Sequence, residues 1–365
     1  MKGVICIGPY SGPPTGQQIA FKEFVLDQHY KKLIIDTNSL GVNHLTYMYE
    51  LCLSCIKFVF YLFSFKYSVC YITTSRSTLG FIKDSFFIIF AKVFNLRVVN
   101  HLHGADFDSF RISFRYRWVL DFVYKKIDEH IVLTSSMVEQ YSCYTKSSKS
   151  VVVNFITTDL ESIPQDIDKF NGFDEFDVEN KLNVLYLSNI MFSKGFFLLF
   201  DAVKRLNEEG LNVNLVVAGK PIADDYMKPE ILDKKFQEVL CNDFVDYKGL
   251  VSGVPKIELL NTSHVIALPS FYKTEAQPLS LIEGLAHGCV LLTADHNYIR
   301  DFVSEDNGFI VEPKTVESIK VSLSEIYFNK NKHAKIAKEN KAFAIKHFSK
   351  KDYITNINLL INKYI

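Results

Sequence analysis

Short apolar, β-branched runs alternate with longer helical patterns along most of this chain, and no other feature restricts its fold as strongly. The runs fall at residues 3–7, 69–73, 97–101, 130–133 and 151–154. A polar, acidic stretch at 157–180, with Pro164, Asn171 and Gly172, interrupts them. The pattern then restarts at 183–187, 215–218, 245–247, 265–268 and 290–292. Strands separated by helices predict parallel sheets covered on both faces. With 365 residues there is length for two to three cores, so the expected fold is α/β, with two Rossmann-like doubly wound domains. Ligands of such sheets bind in a crevice at the carboxyl ends of the strands, so a central cleft is the expected place of the site. The expected domains are 1–165, 166–345 and a C-terminal helix, 346–365, that packs back toward the N-terminal domain.

Lys plus Arg number 41 and so do Asp plus Glu, which leaves no global field for a nucleic-acid backbone. Residues 1–160 nevertheless carry 17 basic and 12 acidic side chains, and the remainder 24 and 29. Seven scattered cysteines fit a reducing compartment better than a disulfide framework. The first residues lack the long apolar segment and cleavage site of a signal peptide. The apolar region 51–94 is broken by Lys57, Lys66, Arg76, Lys83, Asp84 and Lys92, so no run approaches the ~20 residues of a spanning helix. It can lie on a membrane but is not expected to cross one.

The densest chemical signal is residues 269–288, PSFYKTEAQPLSLIEGLAHG. It follows an expected strand, and Pro278 pre-sets the first turn of a helix whose Leu281, Ile282 and Leu285 face the sheet. Glu275 then lies in the loop and Glu283 one turn inside the helix. Backbone N–H groups at a helix N-terminus attract phosphate, and a carboxylate accepts hydrogen bonds from a ribose diol. A lone pair of glutamates at this spacing would read as solvated helix residues; the strand, proline and helix around it favour a nucleotide diphosphate.

The whole string resembles the donor motif of the retaining glycosyltransferases of family 4, which have the GT-B fold. The resemblance places Glu275 near the donor sugar and its leaving phosphate, with Ala276, Gln277, Pro278 and Leu279 in the donor-binding segment, and gives Glu283 the nucleotide ribose. Residues 186–195, YLSNIMFSKG, resemble the family's strand, turn and Lys-Gly before a helix, which assigns Lys194 to the pyrophosphate. A cation there neutralises charge on a departing diphosphate without a metal. Asn189 stands where an arginine is commonest in the family; it donates hydrogen bonds but carries no charge.

In the N-terminal half, residues 8–17, GPYSGPPTGQ, follow the first strand. Glycine at such a turn lets backbone approach a ligand closely. The loop resembles the family's paired-glycine turn, with Thr15-Gly16 where two glycines are usual, so only Gly16 is carried over. His101 and His103, two apart on an extended segment, share a face. No Cys or acidic partner at ligand spacing makes them a zinc site, and a hydrogen-bonded structural histidine stays open. The resemblance gives His103 a contact with the donor sugar or the reacting centre. Asp106-Phe-Asp108 and Asp166-Ile-Asp168 formally read as metal-binding carboxylate pairs, but so short a pattern recurs by chance, and helix capping or an acceptor contact suits Asp106 better.

Cys52 and Cys55 read as small buried hydrophobes in an apolar helix. The eight lysines between 330 and 351, with only Glu339 acidic, read as a solvated helix face or, in the sharper reading, as attraction to an anionic membrane. The basic-aromatic residues 110–126 fit either membrane headgroups or an acidic acceptor, or a helix with an aromatic core face and a charged outer face. The implied activity is transfer of a sugar from a UDP- or GDP-sugar to a hydroxyl of a glycan or polyprenyl-linked acceptor of a bacterial surface polysaccharide. The expected enzyme is a retaining, metal-independent hexosyltransferase with no cofactor. It is expected in the cytoplasm, at the inner face of the plasma membrane. A nucleotide-sugar epimerase, a phosphorylase or a non-catalytic nucleotide-sugar-binding protein on the same scaffold are the competing readings.

Overall fold

The computed structural model describes residues 3–12, 14–38, 44–64, 66–164, 169–170 and 181–365. Asp166 and Asp168, and the breakers Asn171 and Gly172, lie outside the described residues. The chain forms two compact units, Met1–Asn154 with Lys350–Ile365, and Phe155–Ser349.

Unit 1 contains β1 (Gly3–Gly8), α1 (Gly16–Leu26), β2 (Lys32–Asp36), α2 (His44–Leu62), β3 (Tyr67–Ile72), α3 (Thr78–Val93) and β4 (Arg97–His101). Then come α4 (Phe107–Ser113), α5 (Arg117–Tyr124), β5 (Glu129–Val132) and β6 (Ser148–Val151). Its sheet is wholly parallel in the order β2-β1-β3-β4-β5-β6. Unit 2 has β7 (Leu182–Leu187), α6 (Phe196–Glu208), β8 (Val213–Ala218), α7 (Pro229–Leu240), β9 (Val245–Gly249), α8 (Gly253–Thr262), β10 (Val265–Leu268) and α9 (Leu279–Ala286). It continues through β11 (Val290–Ala294), β12 (Gly308–Val311), α10 (Val316–Phe328) and α11 (Lys330–His347), and α12 (Lys350–Asn362) returns to unit 1. The second sheet runs β12-β11-β10-β7-β8-β9, also parallel.

The inner strands are buried on both faces, as helices on both sides of a parallel sheet require: β1, β10 and β11 are buried along their whole length. On α6, Phe196, Leu199, Val203 and Leu206 repeat at three- and four-residue steps and are all buried. The C-terminal α12 joins unit 1 through Tyr353, whose hydroxyl donates to the Ala20 carbonyl at 3.2 Å.

Three strands depart from the expectation. β2 and β12 were not anticipated, and the strand expected at 151–154 is Ser148–Val151. All three are outer strands of their sheets, where one side needs no apolar partner, so Lys32, Ser148 and Lys149 dilute the apolar signal. Pro278 is the N-cap of α9, with φ −61° and ψ 125°, rather than a residue of its first turn. Its ψ is extended, so the helical dihedrals begin at Leu279. Leu281, Ile282 and Leu285 are fully buried as expected. Cys52 is exposed and Cys55 half-buried, because the outer side of α2 is itself apolar and uncovered within the described residues. No helix among the described residues is long and apolar enough to cross a membrane.

Candidate functional site

In unit 2 the strand order reverses direction at β7: β8 and β9 lie on one side, β10, β11 and β12 on the other. The crevice at the carboxyl ends of β7 and β10 is therefore the switch point at which such a sheet binds ligands. The two motifs singled out from sequence are the segments that leave these two strands. Pairing of Val184 with Val265 and of Leu185 with Ile266 brings them together.

Lys194 Nζ lies 3.1 Å from Glu275 Oε2, and both side chains are largely covered. Glu275 Oε2 also accepts from the Ser270 hydroxyl at 3.2 Å. The Glu275 carbonyl accepts from Asn297 Nδ2 at 2.8 Å, which fixes the loop. Gly195 is what lets the chain turn here. It has φ +77°, and a Cβ on it would stand 2.2 Å from the Pro269 carbonyl oxygen. The Phe271 N–H closes the junction by donating to the Ser193 carbonyl at 2.8 Å.

Glu283 is buried, not solvated. Its Oε1 accepts from Lys256 Nζ at 2.7 Å and from the Thr157 hydroxyl, and Lys256 also reaches Thr157 Oγ1 at 3.2 Å. Gly284 beside it allows α9 to approach β10, since a Cβ there would lie 2.3 Å from Ile266 Cγ2. One turn on, His287 is fully buried between the Thr158 hydroxyl at Nε2, 3.0 Å, and Asn261 Oδ1 at Nδ1, 2.7 Å. Burial, with Lys169, Lys256 and Lys341, pushes His287 down to about 4. It is a neutral hydrogen-bonding strut at physiological pH.

The N-caps of α6 and α9 are Gly195 and Pro278, and neither makes a side-chain capping bond. Their first-turn N–H groups are thus left to a ligand or water. Ala276, Gln277 and Pro278 are buried behind Glu275, and Leu279 opens α9. The Asn189 carbonyl accepts from the Tyr186 hydroxyl at 2.7 Å, which fixes the turn after β7. Burial and then the Glu275 charge push the Tyr186 hydroxyl well up, so it remains a neutral donor.

Sequence reasoning missed Lys256, Thr157, His287 and Asp224. Asp224 Oδ2 accepts from the Ser193 N–H at 2.7 Å, while Oδ1 accepts from the Tyr226 and Met227 N–H groups. It ties the 220–229 loop to the residue before Lys194. His287 lies inside the 269–288 string but carried no signal of its own there; the other three belong to no spaced motif, and only the fold brings them to the site. Among the described residues no group of three His, Cys, Asp or Glu side chains is arranged to hold a metal.

In unit 1, His101 and His103 do share a face, with ring centroids 4.1 Å apart. His101 is buried and its Nδ1 meets the Tyr71 hydroxyl at 2.7 Å. Burial, with the nearby Arg76 charge, pushes His103 down to about 3. Asp106 precedes α4 but makes no side-chain cap; it pairs instead with Arg76 Nε at 2.5 Å. The Arg76 guanidinium lies close to Gly104, where a Cβ would stand 2.5 Å from its Cζ. Gly16 opens α1, and Thr15 is its N-cap, accepting from the Gln18 N–H at 3.2 Å. A second glycine at position 15 would lose that bond.

Residues 168–343 match the family model described as glycosyl transferases group 1. No curated protein matches the chain by sequence. Among solved structures, HepE of Anabaena in complex with UDP and glucose has a TM-score of 0.72 at 15% identity, covering 99% of this chain and 100% of HepE. The sucrose-phosphate synthase of Thermosynechococcus elongatus scores 0.73 at 13% identity, covering 99% of each chain. The lipopolysaccharide outer core galactosyltransferase WaaB scores 0.67 at 16%, covering 100% of each. Likeness at this identity shows the fold, which is GT-B: two doubly wound α/β domains.

Proposed function

We propose that this chain is a retaining, metal-independent glycosyltransferase of family 4. It moves a hexose from a UDP- or GDP-sugar to a hydroxyl of a glycan or polyprenyl-linked acceptor. The observation that carries this reading is the Lys194–Glu275 contact at 3.1 Å, formed by the segments leaving two adjacent strands at the switch point. The match of residues 168–343 to glycosyl transferases group 1 supports it. HepE was solved with UDP and glucose, which supports a UDP-sugar as donor.

On this reading the donor diphosphate lies against the open N-termini of α6 and α9, where peptide dipoles and free N–H groups favour an anion. Lys194 turns from Glu275 to the phosphate and stabilises the negative charge that grows on its oxygen as the bond to the anomeric carbon breaks. Glu275 faces the positive charge developing on the sugar ring. The acceptor hydroxyl attacks the face that the diphosphate leaves, and its proton passes to the departing phosphate oxygen, so configuration is retained without a separate general base. Glu283, held by Lys256 and Thr157, accepts from the ribose diol. His103 and Gly16 keep the roles that the family resemblance gives them. The biological setting we propose is bacterial surface-polysaccharide assembly, in the cytoplasm at the inner face of the plasma membrane.

The test is a transfer assay with UDP- and GDP-hexoses and glycan or polyprenyl-linked acceptors. The expected result is retention of anomeric configuration and a rate unchanged by EDTA. Inversion, or a rate abolished by EDTA and restored by a divalent cation, would contradict the mechanism.

A further inference from the structure

The chemistry proposed for unit 1 lies beyond the carboxyl ends of its strands, yet a cluster of cations stands at their opposite, amino-terminal ends. There, at the starts of β4, β5 and β6, an open cavity of about 430 Å³ is lined by Lys92, Arg97, Lys125, Lys126, Lys146 and Asp128. Five cations face one carboxylate. Asp128 is already bound by Lys92 at 2.7 Å, by Arg97 at 2.9 Å and by the Val98 N–H at 2.8 Å. Lys125, Lys126 and Lys146 have no carboxylate partner among the described residues. Beside the cavity, the Glu129 carboxylate is buried and satisfied by the Tyr364 and Ser150 hydroxyls.

A second cavity, of about 340 Å³, adjoins the first and shares Arg97 and Tyr364 with it. Its other walls include Leu62, Tyr67, Phe94 and Leu96. Phe63 packs on the Phe94 ring at 5.0 Å and is itself exposed, as is Val93. On the other flank, α5 ends at the basic cavity. Its inner face is Leu120, Val123 and Tyr124, while Trp118 and Phe122, one turn apart, are 74% and 57% exposed. Lys126 Nζ lies 4.3 Å from the Phe122 ring centroid. A purely charged outer face therefore does not describe this segment: Tyr124 lies inward, but the outer face carries Trp118 and Phe122, with Lys126 against the Phe122 ring. Exposed aromatics beside lysines suit a bilayer interface, where rings sit at headgroup depth and cations meet phosphate.

We propose that this edge of unit 1 is a docking site for anionic phospholipid headgroups. Arg97, Lys125, Lys126 and Lys146 take the phosphate, and Trp118, Phe122 and Phe63 enter the interface. The proposal deepens the membrane-surface part of the function proposed above and is independent of the donor site in unit 2.

Trp118 is the chain's one tryptophan, so its emission reports on this surface alone. The experiment is vesicle flotation with tryptophan fluorescence on the full chain, using phosphatidylcholine vesicles with and without phosphatidylglycerol. The expected result is salt-sensitive binding that requires phosphatidylglycerol and shifts the emission to the blue. The double variant Lys125→Gln/Lys126→Gln is expected to bind about thirtyfold more weakly, from roughly fivefold per lysine at an anionic surface, with thermal unfolding and UDP titration unchanged. Equal binding to neutral vesicles, no binding by folded protein, or a double variant that binds as tightly as wild type would overturn the proposal. So would stabilisation by inorganic phosphate or glycerol phosphate with no vesicle binding, which would make the cavity a site for soluble phosphate. Loss of UDP binding in wild type, with vesicle binding intact, would instead count against the donor reading alone.

Discussion

Replacing Glu283 by glutamine removes a negative charge from the proposed ribose contact while keeping the side chain's volume. Two losses follow, and the structure separates them. The first is in donor binding. A charge-assisted hydrogen bond is worth about 1.5–3 kcal/mol and the neutral one that glutamine can still accept about 0.5–1.5, so the loss of about 1–1.5 kcal/mol is expected to raise the dissociation constant for UDP about five- to tenfold. The second is in stability, because Lys256 loses the partner at 2.7 Å. Orphaning a fully buried ion costs about 3–5 kcal/mol, but the Lys256 side chain is 19% exposed and partly solvated, so the expected cost is nearer 1–3 kcal/mol. The second variant, Glu283→Gln/Lys256→Met, removes the stranded charge. Its thermal midpoint is expected to recover most of the loss, while its affinity for UDP remains low. Calorimetric titration with UDP and thermal unfolding of wild type and both variants complete the comparison. Undiminished UDP affinity in the single variant, or affinity restored along with stability in the double, would refute the ribose assignment.

Other outcomes follow from the same geometry. Lys194→Ala is expected to lower kcat by about 10²–10³, as loss of a group that meets charge in the transition state does, with Lys194→Arg recovering part of the rate; equal turnover in steady-state kinetics would remove Lys194 from the mechanism. Gly195→Ala places a Cβ 2.2 Å from the Pro269 carbonyl at φ +77°, and is expected to cost about 1–3 kcal/mol in denaturant unfolding; an unchanged midpoint would show that the junction relaxes freely. Burial holds His103 and His130 at about 3 and His264 and His287 at about 4. Unfolded histidines titrate near 6.5, so the folded chain binds fewer protons, and stability present above that pH is lost as pH falls toward 4, by about 1.4 kcal/mol per unit for each histidine. Asp84 and Asp201, whose carboxyls burial raises, act in the opposite direction, but they are two groups against these four and against His101 and His333, which burial also lowers. Urea unfolding at pH 7 and pH 5 is expected to give the lower midpoint at pH 5, and equal midpoints would contradict the histidine assignment.

The parts of the fold that could be read from the chain were those whose residues answer to a repeating local rule. Inner strands such as β1, β10 and β11 must be apolar on both faces, and they stand out as unbroken runs. The outer strands β2, β6 and β12 obey a weaker rule, and Lys32, Ser148 and Lys149 obscured them. At the candidate site, the positions of Lys194 before a helix, Glu275 in a loop and Glu283 inside a helix could be read from the strand and helix pattern, while the roles expected of them came from the family resemblance. Lys256 and Thr157 were not legible, since they reach Glu283 from α8 and from a segment 126 residues away in sequence. The Glu275 loop likewise depends on Asn297, which no spacing rule connects to it. Trp118 and Phe122 show the limit of the pattern: for residues 110–126 it left a helix with an aromatic inner face as one open reading, and it could not say which aromatics face inward.

On the proposed function, the segments leaving β7 and β10 take a nucleotide diphosphate through protein groups alone. Isothermal titration of the full chain with UDP and with GDP, in EDTA, tests it most directly. One-to-one binding of at least one of them is expected, unaffected by the chelator and strongly weakened in Lys194→Ala. Folded protein that binds neither, or that binds only after a divalent cation is added, would contradict it.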